Sequence, residues 1–106
     1  MAEGIQIIDK IHRLEKLVQN KLQDEVMIQT VDKLIQYEEK NQREELKKLD
    51  EEKKIFEKKH KMDSHMFHTK FHNGEVGDET DFFEWDALCE MYEDTLKRLN
   101  ILKGKE

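Results

Sequence analysis

The chain contains no proline, only four glycines and a single cysteine. Without proline nothing forbids long uninterrupted helices, and with so little glycine the places where the backbone can turn sharply are few. A lone thiol, Cys89, excludes an internal disulfide and fits a reducing compartment. No stretch of about eighteen apolar residues occurs, and no leader with an apolar segment, so a soluble cytoplasmic protein without a membrane span is expected. Bulk apolar side chains are also scarce: the AVILMFWYC set makes up 36% of 106 residues, against 42% charged. That is too little for a thick core, so burial is expected along helix seams and between chains. The length allows one domain, residues 1–106.

A second absence is local. Between Asn73 and Asp94 there are nine acids and neither lysine nor arginine. The net charge is −6, of which residues 61–106 carry −5. A nucleic-acid binder needs a basic face to displace counterions, so direct binding to DNA or RNA through this half is disfavoured. A basic protein partner is the better electrostatic match. No Ser/His/Asp arrangement, glycine-rich phosphate loop or CxxC pair occurs, so no catalytic residue and no cofactor are assigned.

What is present is helical periodicity. Ile7, Ile11, Leu14, Val18 and Leu22 recur at steps of four and three, the face of an amphipathic helix over 5–22. The pattern changes phase at Asn20–Asp24, where a break with Asp24 as N-cap is expected, a continuous helix being the alternative. A long helix over 24–60 follows, about 55 Å at 1.5 Å per residue. Its apolar face is dense from Met27 to Ile35 and then thins: from Gln36 to Glu45 the apolar set contributes Tyr37 alone. Those residues are expected to face solvent, with Gln42 as a register-setting polar seam residue the alternative. Lys53 stands where a core residue belongs, and Glu44–Lys48 and Glu57–Lys61 offer i,i+4 ion pairs.

From Met62 the pattern stops, bends twice and restarts. Asp63 reads as the N-cap of a short helix over 64–72, with Met62 and Phe67 as its hydrophobic staple. Asn73-Gly74 suits a left-handed C-cap, Gly77 a second bend, and Asp78 or Thr80 the cap of a final helix over 79–102. That helix carries Phe82, Trp85, Leu88, Cys89, Tyr92, Leu96 and Leu99 on one stripe, and burial of that stripe must offset the cost of ordering it. It therefore has to lie back along the long helix or against another chain. The expected fold is all-α: an antiparallel long-helix hairpin or coiled coil with a short tip helix, dimerising through residues 5–35 into a helical bundle.

The tip also carries a resemblance. Met62, Asp63, Phe67 and Phe71, then Gly74-Glu75-Val76-Gly77-Asp78, then Asp81-Phe82-Phe83-Glu84-Trp85 with Leu88, Met91 and Tyr92, form a GExGD…DFFEW signature. It resembles a group of small helical prokaryotic proteins, many of them archaeal. The match covers about a third of the chain closely, and the long helix before it in character. The resemblance implies an antitoxin-like partner of small toxins, often nuclease-like. Two features depart from that group: Lys61 stands where a helix-ending glycine is common, and the short helix is histidine-rich rather than acidic.

Three constellations carry possible chemistry. His65, His68 and His72 share one face of the short helix and are candidate ligands for Zn²⁺ or Ni²⁺, with Asp78, Glu79 or Cys89 to complete the set. A solvated basic face is the competing account, and metal is not assigned. Glu38, Glu39, Glu44 and Glu45, opposite Glu90, Glu93 and Asp94, loosely resemble the Mg²⁺ carboxylates of helical pyrophosphohydrolases, but the ExxE/ExxD pairing on two helices is missing. Phe82 and Trp85 share a face as core, whereas Phe83, one residue off, points elsewhere. The functional expectation is a non-enzymatic interaction module and homodimer, docking a basic protein through Glu75, Asp78, Glu79, Asp81, Phe83 and Glu84. A metal-binding protein or metal-dependent hydrolase and a purely structural oligomerisation unit are the alternatives.

Overall fold

In the computed structural model, which describes residues 2–105, the chain is all-helical. Four helices follow one another: α1 Ala2–Gln19, α2 Glu25–His60, α3 Ser64–His72 and α4 Thr80–Leu102. Backbone contacts divide the chain into two units, the first ending at Leu34 and the second beginning at Ile35. No helix is long and apolar enough to cross a membrane among the described residues.

Local chemistry sets the boundaries. Asp24 starts α2 by accepting from the Met27 amide at 2.8 Å, the cap its sequence position implies. Asp63 does the same for α3 through Met66 N, also at 2.8 Å. At α4 the expectation of an Asp78 or Thr80 cap is corrected: the cap position is Glu79, whose side chain makes no capping bond. The Phe82 amide closes onto the Glu79 carbonyl instead, so the first turn tightens without a side-chain acceptor.

All four helices end in the same closure. Leu22 N donates to Leu17 O, Met62 N to Glu57 O, Glu75 N to Lys70 O and Lys105 N to Asn100 O. In each, the residue just before the donor has a positive φ: Lys21 at 59°, Lys61 at 53°, Gly74 at 70° and Gly104 at 75°. This is the Schellman arrangement, in which a left-handed residue turns the chain so that the orphan carbonyls are met. Glycine holds that conformation without a steric penalty, whereas lysine carries a Cβ into it. Lys61→Gly is therefore expected to stabilise the fold by about 0.5–1 kcal/mol, the net of relieved strain and a more flexible unfolded chain. A rise in the urea midpoint at unchanged slope checks this, and a fall would contradict it.

The second unit holds the buried residues. Phe67, Trp85 and Cys89 form the core cluster, with Phe56, Met62, Phe71, Val76 and Phe82 packed against it; Leu49, Thr95 and Leu99 are buried further along. Backbones approach most closely where α3 lies on α4. Side chains bridge α2 and α4, and their order runs in opposite senses: Lys59 meets Asp81, Phe56 stacks near Trp85, and Lys53 lies over Tyr92. Lys53, which the seam pattern left unexplained, places its Nζ 3.7 Å from the Tyr92 ring centroid, so a cation–π contact and its aliphatic stem fill the core position.

The expectation that residues 36–45 simply face solvent is corrected in part. Glu38, Glu39, Asn41, Gln42 and Glu45 are half-buried, and Gln42 lines a groove with Met91, Asp94, Thr95 and Arg98 of α4. The ion pairs also fall elsewhere: Glu39–Arg43 at 2.7 Å and Asp50–Lys54 at 3.0 Å, not Glu44–Lys48 or Glu57–Lys61. Glu57 is occupied otherwise, because its carboxylate accepts the Ser64 amide at 2.8 Å.

In the first unit the apolar stripe lies bare. Ile5, Ile7, Ile8, Ile11, Leu14, Leu17 and Val18 on α1 are exposed, as are Leu22 and then Val26, Ile28, Val31 and Leu34 on the start of α2.

Candidate functional site

The corner at the α2–α3 junction is built around Ser64 and Trp85. Ser64 is buried, its amide held by Glu57, its hydroxyl accepting from Trp85 Nε1 at 2.9 Å, and its carbonyl accepting the Cys89 thiol at 3.8 Å. The Trp85 ring is 0% exposed and stacks on Phe67, with centroids 3.9 Å apart and planes 3° off parallel. Phe56 and His60 lie near-parallel to it at 6.0 and 5.6 Å. Three helices thus converge on one indole.

His60 carries this core out to a charged pair. Its Nε2 lies 3.2 Å from Asp81 Oδ2, which also accepts from Lys59 Nζ. Those hydrogen bonds, Lys59 first and His60 second, hold the Asp81 carboxyl below its ordinary range, and the bond to Asp81 pushes the Lys59 ammonium up. Asp81 is therefore paired with α2 at the surface, unlike the other acids of the expected partner face. Glu75, Asp78, Glu79 and Glu84 are exposed, and Phe83 is 58% exposed with its ring edge-on to Phe71 at 5.5 Å. Phe82 and Trp85 turn inward, and Phe83 outward, as a step of about 100° per residue requires.

The histidines separate. His65 is exposed and lies outside the cluster that His68 and His72 form with Asp86 of α4. His68 Nδ1 lies 2.7 Å from Asp86 Oδ1 and His72 Nε2 3.0 Å from the same oxygen, while Glu90 Oε1 is 3.8 Å from His72 Nε2. Neither Asp78, Glu79 nor Cys89 joins them. The spacing of the histidines does not single out Asp86. It stands four residues after Phe82 and three before Cys89, hence on the α4 face that meets α3, and that was the available signal. The helix carboxylates Glu38, Glu39, Glu44, Glu45, Glu90, Glu93 and Asp94 form no three-ligand group among the described residues.

Cys89 is 7% exposed, and burial pushes its thiol up to about 11. Asp86 and Glu57 push the same way, against Lys53 and the hydrogen bond with Ser64. Such a thiol is a packing group, not a nucleophile. Alkylation of the folded chain at pH 8 is expected to run at least about a hundredfold slower than in urea, from the lost thiolate fraction alone. Equal rates in the two conditions would contradict the buried placement.

The chain matches no family model, and no curated protein or solved structure is significantly similar to it. Its geometry and its own residues are what a functional reading rests on.

Proposed function

We propose that the chain is a non-enzymatic interaction module with two working surfaces. Copies pair along the apolar faces of α1 and the start of α2 into a homodimer. An antiparallel hairpin of α2 and α4 carries an acidic tip that docks a basic protein. In this reading Phe83 is the aromatic anchor and Glu75, Asp78, Glu79 and Glu84 the charged rim, with Asp81 spent on Lys59 and His60. The observation that carries it is the bare stripe from Ile5 to Leu34, an extent of apolar surface that soluble chains ordinarily cover by association. In this reading the acidic face is an antitoxin-like neutraliser of its basic partner.

The test of the docking face is co-expression with the adjacent gene's product where that product is small and basic. Co-elution with the unaltered chain, and its loss in Glu79→Lys/Glu84→Lys with the dimer intact, supports the reading. A basic product that elutes apart from the unaltered chain at low salt contradicts it. That result would leave a purely structural oligomerisation unit.

A further inference from the structure

We propose that His68, His72 and Asp86 form a binding site for a divalent transition metal, Zn²⁺ first, that joins α3 to α4. The argument begins with the shape of the cluster. His68 and His72 are one turn apart on α3, so both rings project over the same strip of α4, with ring centroids 4.3 Å apart. Each aims one nitrogen at a single atom, Asp86 Oδ1, and the three ligand atoms lie within 4.8 Å of one another. Around a tetrahedral Zn²⁺ with bonds near 2.0–2.1 Å, neighbouring ligand atoms stand roughly 3.3 Å apart. The distances of 2.7 and 3.0 Å to Asp86 therefore need to open by only a few tenths of an ångström, which side-chain rotation supplies.

Donor chemistry selects the ion. Two imidazoles and one carboxylate favour Zn²⁺, Ni²⁺ or Cu²⁺ over Mg²⁺ and Ca²⁺, which take all-oxygen sets. The Asp86 side chain is mostly buried and fixed beside Trp85, while His68 and His72 are partly exposed, so the site is anchored on one side and open to an entering ion on the other. Glu90, whose Oε1 is 3.8 Å from His72 Nε2, is placed to serve as a fourth ligand. Binding takes a lone pair from one nitrogen of each neutral imidazole, with the ring N–H on the other nitrogen, and leaves the Asp86 carboxylate as the common partner. The metal then ties the short helix α3 to the helix it packs on. A docked α3 is what holds Phe67 against Trp85, so metal loading would tighten the corner.

Titration of the full chain with ZnSO₄ by calorimetry, and with CoCl₂ by its visible absorption, tests this. The expected result is saturable binding of one ion per chain and a higher melting temperature. Affinity should fall at least about 10–100-fold in His72→Ala and in Asp86→Asn, and stay unchanged in His65→Ala. His72→Gln serves as a second variant of similar shape, and circular dichroism verifies that each variant keeps its helices. Three results would overturn the site: no saturable binding by the unaltered chain, binding that persists in the folded His72 variants, or a loss in His65→Ala equal to that in His72→Ala.

Discussion

Trp85→Ala is expected to cost about 3–5 kcal/mol of folding stability, the range for truncating a fully buried large aromatic. The position leaves little room for a smaller effect. The indole is wholly buried, stacks on Phe67 at 3.9 Å, and donates to the hydroxyl of the buried Ser64. Alanine removes the ring contacts to α2 and α3 at once and leaves a cavity that can close only if Phe56, His60 or Phe67 moves into it. Small domains hold roughly 5–15 kcal/mol in total, so this one change takes a large share. Trp85→Phe separates the contributions. It keeps an aromatic ring but removes the indole N–H, so a loss of about 1–2 kcal/mol is expected, mostly from the unpaired Ser64 hydroxyl. Urea unfolding followed by circular dichroism at one fixed chain concentration measures both. A cost below about 1 kcal/mol for Trp85→Ala would show that the corner is not where stability resides.

The second large effect concerns association. Ile11→Glu combined with Leu14→Glu is expected to leave helix content almost unchanged and to abolish self-association. In the single chain these residues are 55% and 44% exposed, so charge placed there stays in contact with solvent. Glutamate is also a good helix former, which keeps α1 intact where aspartate would weaken it. In a two-fold dimer each change appears twice. It removes an apolar side chain worth about 1.5–3 kcal/mol when buried and puts an unpaired carboxylate in its place. The dimer is expected to weaken by at least about 100-fold, near 2.7 kcal/mol. A concentration series in the analytical ultracentrifuge measures it. Unchanged association in the double variant would place the interface elsewhere.

Much of the architecture was legible along the sequence because its signals are local. The all-helical class follows from composition and period. The caps at Asp24, Asp63 and Gly74 follow from residue type and position, and the inward turn of Phe82 and Trp85 against the outward turn of Phe83 follows from helical spacing. What could not be read depends on how two helices are rotated against each other. Spacing placed three histidines on one face, yet only the packing of α3 on α4 selects His68 and His72 and brings Asp86 to them. The Glu57 carboxylate looked like one half of an i,i+4 pair with Lys61. It is taken by the Ser64 amide because the left-handed turn at Lys61 swings α3 back over it. Asp81 looked like part of an acidic rim, and Lys59 and His60 claim it across the helix pair. Side chains that can serve either solvent or a neighbour are assigned by tertiary packing, which no periodicity encodes.

The central claim is that the apolar faces of α1 and the start of α2 are covered by a second copy of the chain. Light scattering on the full chain during size-exclusion chromatography tests it most directly. A mass of twice 12.9 kDa is predicted at micromolar concentration, falling to 12.9 kDa in the Ile11→Glu/Leu14→Glu variant. A monomer of 12.9 kDa for the unaltered chain over the whole concentration range would contradict it.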